Sequence, residues 1–225
     1  MRVTASERIR RRLEAAGAGF RANQNIAEFI EPGEMASLER EVEQQMGSLL
    51  RTLVIDVEND HNTKETAARV ARMFCREVFA GRYEAKPKVT KFPNVEKIDE
   101  INVIGPITVR SACAHHMVPI LGDAFVAVIY GKELIGLSKF HRLTEWICTR
   151  PQIQEEAASQ IADELESELD PAGLMVVFRA QHLCCGWRGV RQEHSRMVSS
   201  VLRGRFVGDG AARAEALQLM KGVGL

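Results

Sequence analysis

Apolar positions in the first third of the chain recur with a helical period. From Glu34 to about Leu53 they fall at Met35, Leu38, Val42, Met46, Leu49, Leu50 and Leu53, which predicts an amphipathic helix. Upstream, residues 5 to 16 read as a short basic helix. Residues 17 to 33, punctuated by Gly17, Gly19, Pro32 and Gly33, read as a linker or loosely ordered arm. The triple arginine Arg10 to Arg12 reads as a solvated helix face, with contact to an acidic partner as the alternative. A further helix is expected after the turn-forming Asn59-Asp60-His61-Asn62, with Thr63 as N-cap and Glu65 placing a negative charge in its first turn. It runs through Thr66 to Met73 and stops near Gly81.

Beyond Pro87 and Pro93 the texture changes to β. Strands are predicted over Ile101 to Ser111, Ala124 to Tyr130, Leu134 to Leu137, Leu174 to Ala180 and Met197 to Phe206. Helices at about 139 to 149 and 152 to 169 separate them, the second ended by Asp170-Pro171-Ala172-Gly173. Paired strands with two intervening helices predict an α+β fold, helices on one face of an antiparallel sheet. The expected division is an arm over 1 to 33 and one domain over 34 to 225, helical over 34 to 82 with its sheet core from about 95 to 225. A chain of 225 residues can bury one good core.

Lys plus Arg and Asp plus Glu each number 30. No global electrostatic pull toward nucleic acid or acidic membrane follows, so anion binding has to be local. The five cysteines form an odd set, and the N-terminus lacks the apolar core of a secretory signal. A reducing cytoplasm is expected, with thiols free or metal-bound. No run of about 18 apolar residues suggests a membrane span.

Two short clusters hold most of the soft ligands: Cys113-Ala114-His115-His116 and His182-Leu183-Cys184-Cys185. Thiolate and neutral imidazole are ligands zinc prefers, and catalytic zinc sites take three protein ligands and leave a position for water. A closed finger would pair C-x-x-C with a second such motif, and none occurs. The competing reading is a set of buried thiols and hydrogen-bonded core histidines. From the residues alone, His115 and His116 are equal candidates as ligand.

Four strings in order then carry a resemblance. They are Ser111-Ala112-Cys113-Ala114-His115-His116, Gly136-Leu137-Ser138-Lys139-Phe140-His141-Arg142, Arg150-Pro151-Gln152-Ile153-Gln154-Glu155 and His182-Leu183-Cys184-Cys185-Gly186-Trp187-Arg188-Gly189. Together they closely resemble GTP cyclohydrolase I, over roughly residues 50 to 220. The resemblance implies zinc held by Cys113, His116 and Cys184, with His115 as the proton-transferring histidine and His182 as a second catalytic one. It implies Glu155 clamping the guanine edge with Gln154 in support, and Lys139, Arg142 and Arg188 on the triphosphate, with Arg69 and Arg72 as weaker candidates. Ser138 is matched to phosphate and the sugar rearrangement. The implied reaction opens the imidazole ring of GTP, releases formate and closes to 7,8-dihydroneopterin triphosphate. The implied architecture is the T-fold, in subunits that assemble as homodecamers of two pentamers with active sites at subunit interfaces.

Several positions depart from the family's pattern. Ala114 replaces a glutamate, Ala67 a proline, Arg72 a lysine and Glu156 an arginine, and Cys185 stands beside Cys184 as a rival ligand. These leave two alternatives: a retooled paralogue that acts on a related purine nucleotide or stops at a ring-opened intermediate, and a non-enzymatic zinc-stabilised nucleotide-binding scaffold. The T-fold nitrile reductases, which use a catalytic cysteine and NADPH, do not need the Cys113, His116 and Cys184 constellation.

Overall fold

A computed structural model describes residues 3–225 and divides the chain into two compact units, one ending at Ala85 and one spanning Lys86–Leu225. Among the described residues no helix is long and apolar enough to cross a membrane.

The first unit is helical. α1 (Ala5–Ala15) opens on a reciprocal capping box: Glu7 N–H donates to the Thr4 hydroxyl, and Thr4 N–H donates to the Glu7 carboxylate. Its first amides, Ala5 and Ser6, also donate to Glu41 of α2 (Glu34–Thr52), so one helix caps the other. Buried Ile9 and Leu13 form the apolar seam with Ile26. Arg10 and Arg11 are exposed, whereas Arg12 departs from the solvated face expected of it. It turns back, with Arg8, onto the buried carboxylate of Glu34.

The connector after α1 is pinned by hydrogen bonds rather than by regular structure. Asn25 donates to the carbonyls of Gly81 and Glu84, and Arg82 donates to those of Phe20, Arg21, Ala22 and Gln24. α3 (Thr66–Met73) runs into a π-helical turn over Phe74–Val78 and the short α4 (Ala80–Tyr83). Thr63 is not its N-cap. Residues 60 to 66 close successive backbone turns, and the Thr63 hydroxyl donates to the carbonyl of Asp56, which leaves the helix to start at Thr66 behind Glu65.

The second unit carries a small sheet and a large one. β1 (Lys91–Pro93) pairs with β4 (Glu133–Ile135). The large sheet has the order β5-β2-β3-β6-β7, from β2 (Ile101–Cys113), β3 (Pro119–Ile129), β5 (Pro151–Gln152), β6 (Gly173–His182) and β7 (Met197–Gly204). β2, β3, β6 and β7 are antiparallel in turn, and β5 adds in parallel beside the end of β2. β3 starts five residues before its apolar run, because the antiparallel ladders recruit Gly122 and Asp123.

Alternation along the strands builds two cores. Ala124, Val126 and Val128 of β3 with Leu174, Val176 and Phe178 of β6 face α5 (Leu137–Cys148) and α6 (Gln154–Leu169). Asp170, left-handed at φ 43°, ends α6 where the Asp-Pro-Ala-Gly run predicts. The opposite face, Phe125, Ala127, Ile129, Met175 and Val177, is covered by a C-terminal element without an expected counterpart. There α8 (Arg205–Gly208) supplies buried Phe206, and α9 (Gly210–Gly222) supplies Ala212, Ala216 and Met220 at four-residue spacing. Asp209 caps α9 by accepting from Ala212 N–H at 2.9 Å. Small alanines give α9 only a weak apolar contrast, so the helix escapes a pattern-based reading.

Candidate metal centre and surrounding site

Strand polarity explains how ligands 71 positions apart in sequence meet. β2 and β6 both run antiparallel to the strand between them, so they run parallel to each other and end at the same edge of the sheet. Cys113 is the last residue of β2. Behind it Met117, left-handed at φ 55°, closes a turn in which His116 and Met117 N–H donate to the Cys113 carbonyl at 3.3 and 2.8 Å. Cys184 lies in α7 (Leu183–Gly186), the single turn directly after β6. Adjacent strands are about 4.8 Å apart, so the ends of β2 and β6 stand about 10 Å apart across β3. The two turns curl inward and close that gap.

The ligand atoms of Cys113, His116 and Cys184 all lie within 4.8 Å of one another. Thiolates 2.3 Å from a tetrahedral metal stand about 3.8 Å apart, so this donor set fits a single ion. The soft S,N,S composition suits a borderline metal and leaves room for a fourth position. The other thiols differ in setting. Cys75 and Cys148 are buried, and burial pushes the Cys148 thiol up to about 12. Cys184 is also pushed up to about 12, first by burial and then by the sulfurs of Cys113 and Cys185. Crowded sulfurs hold on to protons that a bound cation would displace.

His115 and His116 project from the same turn with rings edge to face at 6.3 Å, and His115 Nδ1 lies 3.9 Å from the Cys113 sulfur. His182, the last residue of β6, is half-buried. Burial lowers its pKa below the ordinary value and the charge of Glu155 opposes that shift. Glu155 reaches this edge because β5 continues β2's side of the sheet and α6 starts directly after it. Cys113 is in register with Gln152, and Gln152 O accepts from Ala114 N–H at 2.9 Å. Glu155 then stands exposed in the first turn of α6, where the helix dipole favours an anion.

Gln154 is buried, and its amide N–H group donates to the carbonyls of Phe178 and Met197 and to the Ser199 hydroxyl. It ties the start of α6 to β6 and β7. Gln152, two residues earlier in the same motif, is likewise buried, and its side-chain amide donates to the Ile147 carbonyl at 2.7 Å, tying β5 to the end of α5. Nothing in its residue type signals that duty.

The cations fall in three places. Ser138, Lys139 and Arg142 lie in the first turns of α5, with Ser138 and Arg142 exposed and Lys139 Nζ donating to the Lys88 carbonyl at 2.8 Å. Arg188, just past α7, has Nη1 3.1 Å from His116 Nε2, an approach the sequence does not announce. Arg69 and Arg72 belong to α3 of the first unit, and Arg69 pairs with Glu65 at 2.7 Å.

Known proteins similar to this chain are found by sequence over most of its length. A GTP cyclohydrolase 1 from Mycobacteroides abscessus is 43% identical over 162 residues, which covers 71% of this chain and 79% of that one. One from Flavobacterium johnsoniae is 39% identical over 181 residues, 80% of each chain, and one from Corynebacterium glutamicum strain R is 38% identical over 185 residues, 80% of this chain and 94% of that one. The solved structure described as the archaeosine synthase QueF-Like in the apo form covers 53% of this chain at 11% identity and a TM-score of 0.37. The family pattern described as GTP cyclohydrolase I matches residues 42–221, which take in the whole of the large sheet and every residue of the edge site, and with relatives near 40% identity over most of its length the chain belongs to the GTP cyclohydrolase I family, with that family's α+β T-fold.

Proposed function

We propose that the chain opens the imidazole ring of GTP with the help of a zinc ion, releases formate and rearranges the product to 7,8-dihydroneopterin triphosphate. The observation that carries this reading is the three-donor cluster of Cys113, His116 and Cys184, with His115, His182 and Glu155 gathered at the same sheet edge. Zinc, when bound, supplies a water nucleophile near neutral pH by lowering its pKa to about 7. Addition of water at C8 removes the aromaticity of the ring, and the ring nitrogen that leaves when the C8–N bond then breaks needs a proton. We assign that proton to His115, whose Nδ1 lies 3.9 Å from the Cys113 sulfur at the donor cluster. His182, its pKa lowered by burial against the opposing charge of Glu155, is held in the neutral form with one ring nitrogen open as an acceptor.

Guanine offers N1–H and a 2-amino group side by side. One carboxylate, Glu155, accepts both, whereas adenine offers no such pair and would leave the carboxylate unpaired. Gln154 supports this clamp by fixing the start of α6 against the sheet. The triphosphate is assigned to Lys139, Arg142 and Arg188, with Arg69 and Arg72 as further contacts and Ser138 serving the sugar rearrangement. Arginine forks match phosphate oxygens in pairs. Assembly as two pentamers, with each site completed at a subunit interface, agrees with the sheet itself, since among the described residues β7 is an unpaired edge and β5 covers only the last residues of β2. A cytoplasmic setting fits five free thiols.

The test is to incubate the zinc-loaded protein with GTP and measure formate together with the pterin fluorescence that develops on oxidation. Both products support the full reaction. Formate without pterin assigns the chain an early-stopping reaction, the outcome to which Ala114 and Glu156 would point. Neither product, with zinc bound, refutes ring opening of GTP and leaves a nucleotide-binding scaffold.

A further inference from the structure

A neutral imidazole has a single acceptor nitrogen, and a metal needs that same lone pair. Arg188 Nη1 lies 3.1 Å from His116 Nε2. A guanidinium stays protonated and can only donate, so the approach requires the lone pair on Nε2 and puts the His116 proton on Nδ1. Held this way, His116 offers a metal nothing: one nitrogen is engaged and the other carries hydrogen. Yet His116 is also one of the three clustered donors.

We infer that Arg188 and the metal alternate on His116, so that loading the centre swings the Arg188 guanidinium off the ring. The inference rests on reading Cys113, His116 and Cys184 as a metal site. Both partners are exposed on turns at the sheet edge, so the exchange disturbs no core packing. On the ring, Arg188 satisfies the imidazole lone pair and competes with an incoming ion. In the loaded protein it is free to meet an anion beside the metal. The opposite arrangement, in which Arg188 orients His116 as a ligand from behind, makes the opposite prediction, because removing an orienting partner weakens metal binding.

Cobalt(II) titration of the full chain, read by thiolate-to-metal absorption, separates the two. Without the charge-assisted hydrogen bond that stabilises the competing state, Arg188→Ala and the bulkier Arg188→Met should bind cobalt about 5- to 20-fold more tightly than the unsubstituted protein. Removing a positive charge also favours a cation through space, so the comparison is made again near 1 M salt, where the screening length falls to about 3 Å. Tighter binding that persists there supports alternation. Equal or weaker binding there overturns it, while the metal site itself stands if Cys184→Ala loses cobalt. If Cys184→Ala binds cobalt as the unsubstituted protein does, the site reading fails and the inference with it.

Discussion

Glu155→Gln isolates the proposed base clamp with little change of shape. The side chain is exposed in the first turn of α6, so its fold contribution is the helix-end charge effect of about 0.3–1 kcal/mol, and the protein should remain folded. Against guanine the loss is larger. Two charge-assisted hydrogen bonds disappear and the new amide can set a donor against a donor. At about 1.5–3 kcal/mol per bond, reduced for solvent access at an exposed carboxylate, the net is roughly 2–3 kcal/mol, or about 30- to 150-fold in kcat/KM. Inosine triphosphate, which lacks the 2-amino group, provides the internal reference. The unsubstituted protein should prefer GTP over it by about 10- to 100-fold, and the variant should be nearly indifferent. A second consequence comes from His182. Burial lowers its pKa and the Glu155 charge raises it, so removing that charge moves the His182 protonation limb to lower pH. Formate release with both nucleotides, followed from about pH 5 to 8, reads both effects. An unchanged GTP preference would refute the clamp. An altered preference with a fixed acid limb would refute the electrostatic link to His182.

Three further outcomes are expected. Cys184→Ala should lose zinc by about 10²–10³-fold, since a structural site near 10–16 kcal/mol shares its affinity among four ligands, whereas Cys185→Ser should keep it; competition with a chromophoric chelator measures both, and metal loss from Cys185→Ser would reassign the ligand. His115→Ala should retain zinc and lose formate release by about 10²–10⁴-fold, and full activity would remove it from proton transfer. Glu34→Gln should loosen α1 by about 1.5–3 kcal/mol, seen as faster amide exchange over Ala5–Ala15 with the second unit unaffected. Burial pushes the Glu34 carboxyl up, but the Glu31 N–H, Arg8 and Arg12 outweigh it and hold it below the ordinary range. With the folded value lowered, its stabilisation is present above about pH 4.3 and fades as pH falls through the folded value. The unsubstituted protein should therefore lose α1 protection in acid, and pH-independent protection would contradict that linkage.

The first helical stretch and the strand runs were legible because burial on one face leaves a period in the sequence: Met35, Leu38 and Val42 for α2, and alternating residues in β3 and β6. Elements lacking that contrast were not. α9 packs through alanines, and the Thr63 hydroxyl is taken by a distant carbonyl that no local pattern records. Arg12 looked like solvated charge because its partner, Glu34, lies 22 residues away.

The site divides along the same line. Residue type alone placed thiols and imidazoles in two short clusters of the kind a borderline cation favours, and the four motifs pointed to the family. Only the tertiary structure decided that the clusters meet. β2 and β6 run parallel across an intervening antiparallel strand, which brings Cys113 and Cys184 to one edge, and the parallel addition of β5 brings the start of α6 there as well. The tertiary structure also set Arg188 against His116, at a 3.1 Å approach between residues 72 apart that no local pattern records.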